Sequence, residues 1–218
     1  SILFYNSNYS AATKIYTVLT NVEDTWLKET SQYMLIRTSL NSAYATGVDK
    51  YGDVYLDNIN QNLLKKFLDN INAYLKAYPN GQYVASARGF MRRGLWLSKR
   101  QNLLVNEIVW QIHNPKSKFY NLEMSQLPAE IDRRVFNSQY FNVKNLKDPF
   151  FLATYDLMYM RMPASDPYRP ITWAQLAAQK EFFKAQPELF QYLQAVHLLF
   201  VQNKPQEALS YLPKDNIN

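Results

Sequence analysis

The side chains able to do covalent chemistry are few, and their spacing assembles no known reaction centre. Only two histidines occur, His113 and His197, far apart in the chain. Each sits in an apolar helical pattern, where the expected role is a structural imidazole satisfied by its neighbours. Cysteine is absent, which removes disulfides and thiolate nucleophiles and, with so few His, argues against a zinc site. Glu23 and Asp24 are adjacent carboxylates, but a helix start accounts for them. The chain has no His-Glu-x-x-His, no Gly-x-Ser-x-Gly, no phosphate loop ending in Gly-Lys-Ser/Thr and no Gly-x-Gly-x-x-Gly. No catalytic residue, metal ligand or cofactor is therefore assigned, and the expectation is a protein that is not an enzyme.

Charge is more informative than nucleophiles. Between Lys76 and Lys118 stand eight basic residues and one acid, Glu107, a local balance of +7, whereas the whole chain is +6 and the remainder −1. Arg88, Arg92 and Lys99 recur at spacings of four and seven, which on a helix stacks them on one face, flanked by Arg93 and Arg100. These five residues are the first candidate surface. A solvated outer face would use such residues for solubility, and an interaction face would use them to hold an anion. The partner would be an acidic protein segment, an anionic lipid head group, a carboxylate-bearing glycan or nucleic acid. Nucleic acid fits least, because no aromatic platform or Gly-rich reader accompanies the arginines.

The elements that must position these residues read as helices. Hydrophobic residues make up 47% of the chain and aromatics 15%, enough for a sizeable core, while only 5 residues are Gly, too few for a fold of many β-turns. Tyr33, Met34, Ile36, Leu40 and Ala43 mark one helix stripe, with Asp24-Thr25 ahead of it as a cap. The pattern predicts further helices over 58–78, 83–99, 103–112, 128–137, 149–162, 173–185, 187–203 and 205–212, and no strand. Pro79-Asn80-Gly81 and Asn114-Pro115 are terminators. The 163–171 segment, rich in Pro, is expected as a loop, and 116–148 as an irregular segment. No apolar run approaches the length of a membrane span.

The two ends echo each other: SNYSAATKIYTVL and NKPQEALSYLP each place Ala and, four residues on, an aromatic or Leu (Ala12 and Tyr16, Ala208 and Leu212). A small residue lets two helix backbones approach, and a bulky one a turn later fills the space beside it. With Tyr192, Ala195 and Leu199 on the preceding helix, 188–214 resembles a tetratricopeptide repeat. Tyr9, Ala12, Tyr16 and Leu19 look like the second helix of another, with a partner expected upstream of Ser1. AYPNGQYVASARG resembles the turn between repeats in bacterial envelope proteins of that family. The middle departs from the pattern, with Phe67 at a small-residue position and Val196 in place of the usual Gly.

That resemblance implies an all-α fold: a right-handed superhelical stack of antiparallel helix pairs in a single domain over 1–218. It also implies a non-catalytic scaffold or adaptor in assembly of a bacterial envelope complex, periplasmic or outer-membrane-associated, holding another protein or peptide. A second candidate surface follows from the repeat: Phe190, Leu193, His197 and Phe200 would line the concave side, either packed inward or exposed as an apolar peptide groove. The alternative functions are an accessory domain of an enzyme acting on cell-wall glycan, or a binder of an anionic polymer through 76–118.

Overall fold

The computed structural model describes residues 2–136, 138, 140–161 and 171–212. Among these the fold is all-α: eleven α-helices, short 3₁₀ and π turns, and no strand beyond an isolated Val48–Val54 bridge. Where the pattern suggested one domain, the chain divides into two compact units, Ser1–Phe141 and Asn142–Asn218. The division falls inside the segment expected to be irregular.

The first unit contains α1 (Ile2–Tyr5), α2 (Tyr9–Leu19), α3 (Thr25–Tyr44), α4 (Gln61–Ala77), α5 (Val84–Leu97), α6 (Gln101–His113) and α7 (Leu127–Ile131). Their starts are set by local chemistry. Asn8, Asp24 and Asn60 each accept a hydrogen bond from a backbone N–H of the first turn, satisfying a donor that the helix cannot. From α2 to α6 each helix packs on the next one in the chain, and α3 also touches α5. The core joins Ile36, Leu40 and Ala43 of α3, Leu64, Phe67, Ile71 and Tyr74 of α4, and Val84, Ala87 and Leu97 of α5. Each large side chain buried this way contributes about 1.5–3 kcal/mol.

Two glycines make that packing possible. A Cβ on Gly94 of α5 would overlap the Phe67 ring. The large Phe67 ring on α4 is thus met by a small residue on the facing helix. At Gly81, a Cβ would overlap Glu29, Tyr78 and the Tyr74 hydroxyl. That turn is held by one carboxylate: Glu29 Oε1 accepts from the Tyr74 hydroxyl and from Gln82 N, both at 2.7 Å. The Tyr74 oxygen in turn accepts from Tyr83 N at 3.0 Å. Tyr33 and Tyr83 stack with centroids 4.4 Å apart beside it. Burial first, and then the bond to Glu29, push the Tyr74 hydroxyl far above its ordinary value.

The second unit contains α8 (Pro149–Met160), α9 (Trp173–Ala177), α10 (Pro187–Phe200) and α11 (Pro205–Leu209). The α10 helix is its centre, packed against α8, α11 and the 3₁₀ turn Lys180–Phe183. Asp148 caps α8 through Phe151 N, and Thr172 with Gln175 forms a reciprocal capping box on α9. The helix expected over 173–185 stops at Ala177, and only the separate 3₁₀ turn resumes after it. Similarly, the helix expected over 128–137 is α7 followed by a π turn, Asp132–Phe136. The Pro-rich stretch expected as a loop lies, up to residue 170, outside the described residues.

Candidate functional site

The five basic residues of the α5–α6 hairpin are the natural place to begin. Arg88 Nε and Nη2 donate to Glu107 Oε1 and Oε2 at 3.1 and 2.9 Å, and its guanidinium lies 3.5 Å from the Trp110 ring centroid. That is the bidentate geometry for which a planar cation is suited. Arg92 is 4% exposed. It donates to the side-chain and backbone oxygens of Asn121, and its Nε is buried without a partner. Desolvation is the main influence lowering its pKa. Arg93 covers the Tyr44 ring at 4.2 Å, and Lys99 pairs with Asp57. Of the five, only Arg100 is exposed. The expected single basic face is therefore corrected: the spacing does put Arg88 and Arg92 on one side of α5, but that side faces α6 and the 119–121 segment rather than solvent.

The expected concave groove is corrected as well. Phe190, Leu193 and His197 are buried in the second unit, and only Phe200, at 64% exposure, reaches solvent. His197 Nε2 bonds to the Ile171 carbonyl at 2.8 Å, and Nδ1 pairs with Gln202 Nε2 at 3.1 Å. Both ring nitrogens are thereby engaged. It is a structural histidine.

What the tertiary structure builds around the hairpin is a groove of about 400 Å³ along α4, α5 and α6. Leu68, Met91, Leu95, Leu103 and Trp110 supply apolar surface, with the Asn72 and Asn106 amides and the Arg100 guanidinium around it. The Arg88–Glu107 pair also lines the groove and is charge-neutral. Leu103 is 42% exposed on this groove. Such a groove can hold apolar side chains on its floor and pair backbone amides or a carboxylate at its edges. It holds no arrangement of acid, base and nucleophile.

A second cleft in the same unit, of about 610 Å³, was not read from the sequence. One wall is the 54–58 loop and another comes from Trp96, Arg133, Ser138 and Tyr140. Asp57 is gripped by the Lys99 ammonium and by the Tyr140 hydroxyl at 3.0 Å. The hydrogen bonds from Lys99 and Tyr140 hold the Asp57 carboxyl below the usual carboxylate range and the ammonium above its own. Lys99 has φ 60°, a left-handed backbone that costs a non-Gly residue of order 1–3 kcal/mol and that surrounding contacts must hold. The signal in the sequence was indirect: 45–60 contains two of the five Gly between two long helical patterns.

Comparison with family models, with curated proteins and with solved structures finds no match to this chain.

Proposed function

We propose that this protein is a non-catalytic interaction scaffold, a helical-repeat array of tetratricopeptide-like type whose task is to hold a segment of another protein. The observation that carries this reading is the groove along α4, α5 and α6, with a half-exposed apolar floor, amide edges and one uncommitted cation. Helix-in-groove and extended-peptide recognition both use this combination: apolar anchors supply affinity and edge polar groups fix register. Further support comes from the order of packing, in which each helix from α2 to α6 rests on its chain neighbour, as stacked helix pairs do. Within the second unit Tyr192, Leu199 and Phe200 leave an aromatic and aliphatic surface on α10 exposed, consistent with a broad contact area. Assembly of a bacterial envelope complex is the setting we propose, on the resemblance of AYPNGQYVASARG alone.

The partner segment suited to the groove is amphipathic, with apolar side chains for Leu103 and Trp110 and a carboxylate for Arg100. Panning a random peptide library against the protein tests this. Peptides of that composition should emerge, perturb the methyl resonance of Met91, and lose at least tenfold in affinity on Leu103→Glu or Arg100→Glu. A library that yields no binder, or binders indifferent to both substitutions and silent at Met91, removes the groove as the site.

A further inference from the structure

We propose that the cleft between the 54–58 loop and Trp96, Arg133 and Tyr140 is a binding site for a carboxylate-bearing saccharide. It is separate from the peptide groove and does not depend on it. Its volume, about 610 Å³, falls within the range of small-ligand pockets.

The loop wall is built to stay in place. Tyr55 N donates to the Gly47 carbonyl and Asn60 N to Thr46 Oγ1, each at 2.8 Å. Asp49 Oδ1 accepts from Tyr51 N at 2.8 Å and Asp53 N at 3.0 Å, closing the turn before it. Gly47 admits no Cβ, because Ile59 and the Tyr55 carbonyl already fill that space. Asp57 then ties the loop to Lys99 and Tyr140. A wall secured this way needs little ordering when a ligand arrives.

Its chemistry selects the ligand. Lys99 and Asp57 cancel each other, which leaves the Arg133 guanidinium as one uncompensated positive charge on the cleft. Among the described residues Arg133 is exposed and makes no hydrogen bond or ion pair, and the Asn58 amide is equally uncommitted. The adjacent Arg134 is spent on Glu130 at 2.8–2.9 Å and on the Trp96 ring. A single planar guanidinium matches a single carboxylate. The other uncommitted groups suit hydroxyls: Asn58 can donate and accept, and Asp57 Oδ2 accepts. Tyr55, 52% exposed on the cleft, offers ring surface against which the C–H face of a sugar packs. The Trp96 and Tyr140 rings that also line it already carry Arg134 and Lys99. A phosphate ester fits worse, since a second negative charge would lie near the ionised Asp57 with no second free cation on the cleft.

Ligand-observed NMR and calorimetry at low salt decide the matter, with a trigalacturonate, a hyaluronan tetrasaccharide and a muramic-acid-containing tetrasaccharide as probes. Maltotriose serves as the neutral control and adenosine monophosphate as the phosphate control. At least one acidic probe should bind ten times or more tighter than both controls, weaken as salt rises, and lose tenfold or more on Arg133→Gln or Asn58→Leu. Arg100→Gln, on the other groove, should leave that affinity unchanged. Circular dichroism establishes that each variant is folded. Silence from all three acidic probes, affinity that survives Arg133→Gln, or tighter binding of the monophosphate each overturns the proposal. None of these outcomes alters the peptide test at Arg100 and Leu103.

Discussion

Asp156 has no exposed surface at all, and its one hydrogen bond comes from Gln179 Nε2 to Oδ1 at 3.1 Å. Its Oδ2 and the Gln179 Oε1 are both buried without a partner among the described residues. One proton on Oδ2, donated to Gln179 Oε1, would satisfy both atoms. Burial pushes this carboxyl up from 3.8 to about 7, against a smaller lowering by Gln179. The folded chain thus holds a proton that the unfolded chain releases between about pH 4 and 7. Stability from this group is complete below that window, falls by about 1.4 kcal/mol per pH unit through it, and is gone above. In Asp156→Asn, which keeps a donor beside Gln179 Oε1, the slope should vanish. Urea unfolding at pH 5 and 7.5 should show the wild type gaining about 2–3 kcal/mol more than the variant from the lower pH. Equal gains would mean that Asp156 is ionised in the fold. Arg92 belongs to the same class of residue, with a buried Nε that finds no acceptor. Neither was legible in the sequence, where Asp156 stands among Tyr155, Leu157 and Met158 as one more polar residue on a helix.

Helix placement, by contrast, was largely legible, because periodicity and caps are properties of adjacent residues. Asp24, Asn60, Asp148 and Thr172 all accept the N-terminal hydrogen bonds of their helices. The misjudged ends share a cause: over 173–185 and 128–137 the apolar spacing continues while the backbone changes to 3₁₀ or π turns. Spacing alone does not separate these winding modes over one or two turns. Glycine shows the same divide. Gly94 must be small because α5 meets Phe67 there, whereas a Cβ on Gly89, in the same helix, would meet Asn121 at an ordinary 3.5 Å. Gly94→Ala should destabilise by about 1–3 kcal/mol through overpacking. Gly89→Ala should stabilise by about 0.5–1 kcal/mol, by removing backbone freedom from the unfolded chain. Urea denaturation distinguishes the two, and equal effects would refute the close approach of α5 to Phe67.

At the scale of the whole molecule, the two compact units give local perturbations separate readouts. Native-state hydrogen exchange in Gly94→Ala should quicken in α4 and α5 more than in α10. In Asp156→Ala it should quicken in α8 and α10 more than in α4. Uniform acceleration in both variants would mean that the units open together. No helix among the described residues is long and apolar enough to cross a membrane. The surplus of +6 is also redistributed by folding: much of the cationic stretch at 76–118 is committed to Glu107, Asn121, Tyr44 and Asp57. Among the described residues, what stays uncommitted on the two clefts is one guanidinium each, Arg100 and Arg133.

The amino-acid sequence by itself determined that the described residues are all-α, where nearly every helix begins, and the inward stripe of α3 through Tyr33, Ile36, Leu40 and Ala43. All of these follow from interactions within about four residues, which a linear pattern records. Only the tertiary structure decided which charges are free. Arg88 meets Glu107 and Trp110 at 19 and 22 positions away, and Arg92 meets Asn121 at 29. Such pairings depend on the register between helices and on how closely they approach. A basic run therefore reads identically whether it faces solvent or a partner helix. The groove at Leu103 and the cleft at Arg133 exist only where those registers leave a gap.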